Sequence, residues 1–127
     1  IAALPPDGKR EWDVSSRLEK GEPWFRMRET DGPPNARTRI RLIDTRGRWG
    51  RYAIAPATGK QHQIRLHMAR IGAPIAHDAL YPELQPSPKT GYDRPLLLVA
   101  RAIAFVDPAT GRCRRFRSGR LLDWPAD

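Results

Sequence analysis

The chain has 127 residues, 23 Lys and Arg against 14 Asp and Glu, a formal net charge of +9 and one cysteine. That length holds one domain with a modest core; the longest apolar run, residues 96–100, is far too short to cross a bilayer; and Cys113 alone can neither close an internal disulfide nor anchor a cysteine zinc site. Ile1 opens the chain with no charged-then-apolar leader, so the expectation is a soluble, cytoplasmic protein with no membrane partner.

Residues 1–11, with Pro5-Pro6-Asp7-Gly8, read as the end of a strand and a turn. Residues 12–18 predict a short strand, Glu22-Pro23 punctuates, and residues 24–28 alternate weakly as another. Asp31-Gly32-Pro33-Pro34-Asn35 is a loop. Thr38, Ile40, Leu42 and Asp44 then alternate with Arg37, Arg39, Arg41 and Ile43, which predicts a strand with one charged, wet face. A turn at Arg46-Gly47 leads into residues 49–54, so the pair reads as a hairpin that feeds the next element through Pro56-Ala57.

That element is the stretch Thr58-Gly59-Lys60-Gln61-His62-Gln63-Ile64-Arg65-Leu66-His67. Thr58 and Gln61 stand three apart, as in a capping box, and predict a helix start. Ile64, Met68 and Ile71 recur at i, i+4 and i+7 as one apolar stripe, and Gly72 with Pro74 beyond it ends the pattern. The first turn carries Lys60, His62, Gln63 and Arg65, more hydrogen-bonding groups than a surface helix needs at an end where cations also oppose the dipole, which points to a bound ligand. Lys60 and His62 can meet an anion there or serve as local caps, whereas Gln63 and His67 are expected to hydrogen-bond within the fold. His62 and His67, five apart, lie about 140° apart around a helix and no Cys or carboxylate completes a set, so no metal site is expected.

After the helix, residues 73–95 show no periodicity and read as a long ordered loop or an insertion. Residues 96–106 are almost continuously apolar and predict a strand central in a sheet; Asp107-Pro108-Ala109-Thr110-Gly111 turns the chain and residues 112–118 return as a second hairpin. Several strands, antiparallel hairpins and one main helix make an α+β domain. The charge is uneven: residues 1–36 hold six Lys and Arg against seven Asp and Glu, residues 37–127 seventeen against seven. Nineteen of the 23 cations are arginines, which fork onto phosphate and stack on bases, so a polyanion fits the later segment.

The decapeptide from Thr58 to His67, with Gly72-Ala73-Pro74-Ile75 and Asp78-Ala79-Leu80-Tyr81 after it, resembles the signature of the RluA-type RNA pseudouridine synthases: T-G-[RK]-x-H-Q-[IL]-R-x-H, then G-x-P-I, then G-D-x-L-Y. The resemblance implies a mostly antiparallel, mixed sheet with one main helix, half of the family's long bent sheet, with residues 1–127 as the C-terminal part of a catalytic domain. It also implies isomerisation of uridine to pseudouridine in ribosomal or transfer RNA, without cofactor or metal, on a base taken out of its stack. Family members use an aspartate in an H-R-[LI]-D-x-x-T-S-G motif and a tyrosine in a K-x-Y-x-A pattern. Neither occurs here, so the chain by itself is expected to be inert until joined to its N-terminal half.

By the same resemblance Arg65 matches the arginine that grips the catalytic aspartate, a guanidinium fork suited to a carboxylate. Lys60 and His62 are candidates for RNA phosphate contact, and Leu98 falls where the family sets an apolar side chain against the target base, unless it is plain sheet core. His77 stands where the family has glycine, Gln61 where Thr or Ser is common, and Val99 where many members have histidine, so the particular RNA is not carried over. The alternative is a noncatalytic basic RNA-binding module. Without the other half of the sheet an apolar edge and face would be open, and the isolated chain is expected to form a homodimer, swap strands or be marginally stable.

Overall fold

Alternation in one long strand sets up the main sheet. Across β4 (Ala36–Arg46), Ala36, Thr38, Ile40 and Leu42 are buried while Arg37, Arg39 and Arg41 are exposed, the period of two that leaves one face dry and one wet. The alternation slips at Ile43 because a bulge sits there: pairing passes from Leu42 opposite Tyr52 to Asp44 opposite Arg51, and Ile43 is left exposed. The computed structural model describes residues 1–86 and 94–126, so part of the 73–95 loop, Asp93 included, lies outside the described residues.

Around β4 the strands β1 (Ala2–Ala3), β2 (Glu11–Lys20), β3 (Met27–Thr30) and β5 (Trp49–Pro56) complete a five-stranded sheet in the order β1-β5-β4-β2-β3. Every pairing in it is antiparallel. Of residues 24–28, which alternation predicts as a strand, only Met27 and Arg28 enter one. The Arg26 amide donates back to the Pro23 carbonyl at 2.8 Å, which closes a turn and delays strand β3 to Met27.

Among the described residues one helix, α1 (Gln63–Arg70), covers the dry face of the sheet. Met68 is fully buried in a cluster with Ala2, Val14, Ile40, Ala73 and Ile75, against which Ile64 and Ile71 pack, as their spacing predicts. Leu66 joins Leu18, Ala36 and Tyr81 in a second cluster. The helix ends as a Schellman motif: Gly72 takes φ 77°, its amide donates to the Ala69 carbonyl and that of Ala73 to the Met68 carbonyl, both at 3.0 Å. Among the described residues no helix is long and apolar enough to cross a membrane.

The second hairpin is real, but its setting differs from the sequence expectation. β6 (Ala102–Val106) and β7 (Cys113–Arg117) pair only with each other, and all ten residues are exposed, so β6 is not central in any sheet of the described residues. Apolar continuity in a sequence reports a demand for burial, and here no described strand or helix meets it.

Candidate active site

The helix begins later than Thr58 and Gln61 predict. His62 is the cap residue, in the left-handed region at φ 53°, with no side-chain capping bond. Gln63, not Gln61, closes the turn. Its Oε1 accepts from the Thr58 hydroxyl at 2.7 Å and from the Lys60 amide at 3.1 Å, while its Nε2 donates to the Arg37 carbonyl at 3.0 Å and to Thr38 Oγ1 at 2.9 Å. All four hydrogen-bonding positions of the amide are thus filled. The Thr58–Lys60 turn is tied through one buried side chain to strand β4.

One helical turn on, His67 repeats the device. It is fully buried, with Nδ1 2.7 Å from Thr38 Oγ1 and Nε2 2.9 Å from Ser16 Oγ. Burial pushes its pKa below the ordinary histidine value. Gln63 and His67 are therefore framework, as expected, and the hydroxyls of β2 and β4 are their partners.

Arg65 points the other way. Its Nε and Nη2 grip the two oxygens of Asp78 at 2.9 and 2.5 Å, in a pair whose side chains are 16% and 1% exposed. The carboxylate also accepts from the amides of Leu80 and Tyr81, at 2.9 and 3.1 Å. The buried acid is thereby paired and fully hydrogen-bonded, the condition under which such a charge is tolerated. The guanidinium carbon of Arg65 lies 5.2 Å from the ring centroid of Tyr81, and that of Arg26 lies 5.0 Å from it. Tyr81 in turn reaches His62: its hydroxyl is 2.8 Å from Nδ1 and accepts from the Met27 amide at 2.7 Å. Burial, then the charge of Arg65, lower the pKa of His62, with Asp78 acting in the opposite sense.

These side chains converge on one open cavity of about 310 Å³. Lys60, His62, Arg65 and Leu98, the four residues singled out from the sequence, all line it, with Pro56, Thr58, Gly59, Gln63 and Ile64. Leu98 is partly buried and packs against the main core cluster as well, so it is both core and wall. No carboxylate lines the cavity among the described residues, since Asp78 is buried in its pair with Arg65. Nor do the described residues gather three or more His, Cys, Asp or Glu that could hold a metal ion.

Asp78 and Tyr81 were visible in the sequence only as parts of a motif. The spacing could have flagged Asp78, since an acid followed by two free amides makes a turn that buries its carboxylate. That Tyr81 meets His62 is a contact between residues nineteen apart and left no local trace. His77, which replaces the family's glycine, adopts φ 64°, the left-handed backbone glycine takes without strain, and its Nδ1–H donates to the Pro95 carbonyl at 3.0 Å. A left-handed non-glycine residue costs on the order of 1 kcal/mol, and at both His62 and His77 a side-chain hydrogen bond offsets it.

Comparison with known proteins finds RNA pseudouridine synthases. The chain is 36% identical over 86 residues to an uncharacterized RNA pseudouridine synthase of Chloroflexus aurantiacus, covering 68% of this chain and 26% of the relative. It is 32% identical over 112 residues to ribosomal large subunit pseudouridine synthase C of Escherichia coli, 80% of this chain and 32% of the relative. It is 39% identical over 80 residues to tRNA pseudouridine synthase C of Haemophilus ducreyi, 60% of this chain and 32% of the relative. No family model matches the chain. The fold and the signature together define the class: an α+β domain with a cationic cavity at the head of its described helix. The chain belongs to the RluA-type RNA pseudouridine synthases. It spans less than a third of the length of these relatives.

Proposed function

We propose that this chain is the C-terminal part of the catalytic domain of an RNA pseudouridine synthase that isomerises a uridine of ribosomal or transfer RNA. In this reading a further stretch of polypeptide supplies the nucleophilic aspartate and the active-site tyrosine, and residues 1–127 supply the shell that holds them. The observation that carries it is the convergence of Lys60, His62, Arg65 and Leu98 on one cavity that has cations and an apolar wall but, among the described residues, no carboxylate. Asp78 occupies Nε and Nη2 of Arg65, and among the described residues Nη1 has no hydrogen-bond partner. The remaining edge of the fork can therefore take a second carboxylate, with the first fixing its direction. Lys60 and His62 would meet RNA, and Leu98 would lie against the base.

The test is pseudouridine formation by the longer polypeptide that carries this chain. Arg65→Lys keeps the charge and loses the fork; it should lower the rate about a hundredfold or more, the scale on which one aimed donor matters in a site of this kind. An unchanged rate would remove Arg65 from the mechanism. The 127-residue chain alone should bind RNA and form no pseudouridine. Should the longer polypeptide bind RNA without forming any, the reading of the chain as a noncatalytic basic RNA-binding module takes its place.

A further inference from the structure

Tyr81 is an unusual tyrosine. It is 3% exposed, yet its hydroxyl is not merely parked against a carbonyl: it stands between a main-chain amide and an imidazole. A main-chain N–H only donates, so the Met27 amide uses the hydroxyl oxygen as an acceptor. The phenol then has one hydrogen left to give, and among the described residues the acceptor within its reach is Nδ1 of His62, 2.8 Å away. An acceptor at Nδ1 places the imidazole proton on Nε2, because a neutral ring carries one. Among the described residues Nε2 of His62 has no partner, and His62 lines the cavity.

We propose that Tyr81 is a positioning residue, whose hydroxyl fixes His62 as the neutral Nε2–H tautomer and so presents one N–H donor to an oxygen acceptor on the RNA. The inference rests on the synthase reading for the identity of the ligand, and on hydrogen-bond stoichiometry alone for the tautomer. A protonated His62 would have a second donor facing a hydroxyl already engaged, next to three further cations: Arg65 on the same helix, Arg26 against the Tyr81 ring and Lys60 on the cavity wall. Asp78 is the one acid that favours protonation, and its carboxylate is already filled by Arg65 and two amides. What His62 offers is thus a directed hydrogen bond and not a point charge.

The experiment is nitrogen-15 NMR of histidine-labelled polypeptide carrying this chain, with RNA affinity measured from pH 6 to pH 8. The wild type should show His62 as Nε2–H and neutral at pH 7 and above, and the His62 contribution to affinity, taken against His62→Ala, should be flat there. Tyr81→Phe keeps the ring and its contacts with Arg26 and Arg65 but removes the donor. His62 should then populate both tautomers and titrate higher. Affinity at pH 8 should fall about 2- to 10-fold, the worth of one neutral hydrogen bond, and recover as the pH drops and His62 gains a charge. RNA with sulfur in place of a uracil carbonyl oxygen, or of a phosphate oxygen, identifies the acceptor as whichever substitution abolishes the Tyr81→Phe effect.

An Nδ1–H tautomer in the wild type overturns the proposal without needing any variant. So does a Tyr81→Phe protein, folded by its remaining resonances, with an unchanged tautomer and pH profile, and so does a His62→Ala protein with undiminished RNA affinity. Failure of the synthase reading would appear separately, as RNA bound but no pseudouridine formed, and would leave the tautomer result standing.

Discussion

Two short regions of this molecule invert the usual rule of inside and outside. Around α1 the polar residues Thr38, Gln63 and His67 are at most 3% exposed, while in the β6–β7 hairpin Ile103, Val106 and Phe116 are more than half exposed. The first region is dry because the side-chain hydrogen-bonding groups of these three residues all find partners within the chain, which makes burial of polar atoms affordable in free-energy terms. The second is wet because, among the described residues, Ile103, Phe105 and Phe116 have each other and Arg114 on one face of a two-stranded ribbon that pairs with no further strand. An isolated hairpin is at best marginal in water. Burial therefore follows from the partners that the fold supplies and not from the hydropathy of the residue.

The sharpest way to break the comparison is to remove a partner from the dry region. Asp78→Ala leaves the guanidinium of Arg65 in a largely buried place without its acid, and should cost about 3–5 kcal/mol of stability, read from the urea midpoint. His67→Leu comes next: it strands the hydroxyl of Ser16 and takes one of two partners from that of Thr38, which keeps Gln63, at about 1–3 kcal/mol for a buried group left unsatisfied. A loss below 0.5 kcal/mol in either variant would mean that water already reaches the network.

Acid should act on the same region more gently. Burial lowers the pKa of both His62 and His67 in the folded chain, so as pH falls through the ordinary histidine value near 6.5 the unfolded chain takes up protons first. The stability present above that value is then lost progressively at lower pH. Urea midpoints should fall between pH 7 and pH 5, and His67→Gln should flatten that slope; a slope unchanged in this variant would take His67 out of the account. The smallest effect belongs to the hairpin. Ile103→Thr with Phe116→Thr should shift the monomer's stability by no more than about 0.5 kcal/mol, yet reduce concentration-dependent association in light scattering if the exposed face drives it. A monodisperse wild-type chain with ordinary cooperative melting would end the expectation of dimerisation.

Much of the site was legible locally. Helix periodicity placed Ile64, Met68 and Ile71 against the core, Gly72 marked the helix end, and the period of two in β4 put its arginines on the wet face, because each of these depends on neighbours a few residues apart. Thr58 and Gln61 misled for the same reason that they seemed informative. Capping boxes are a local pattern, but here a residue five positions from Thr58, anchored across the core to Thr38, captured its hydroxyl instead. The run at residues 96–106 misled through the opposite gap, since apolar continuity states what a strand wants and not whether a neighbour is there to provide it.

Sequence by itself determined the class of protein, the described helix, the hairpins and four of the nine residues that line the cavity, since motif spacing and side-chain period are properties of consecutive residues. Only tertiary structure decided that Asp78 holds Arg65, that Tyr81 holds His62 and that Gln63 locks the loop to β4. Those bonds join residues thirteen, nineteen and twenty-five positions apart. They exist because a helix laid on a sheet brings distant donors and acceptors into a space that water has left, where each must find the other.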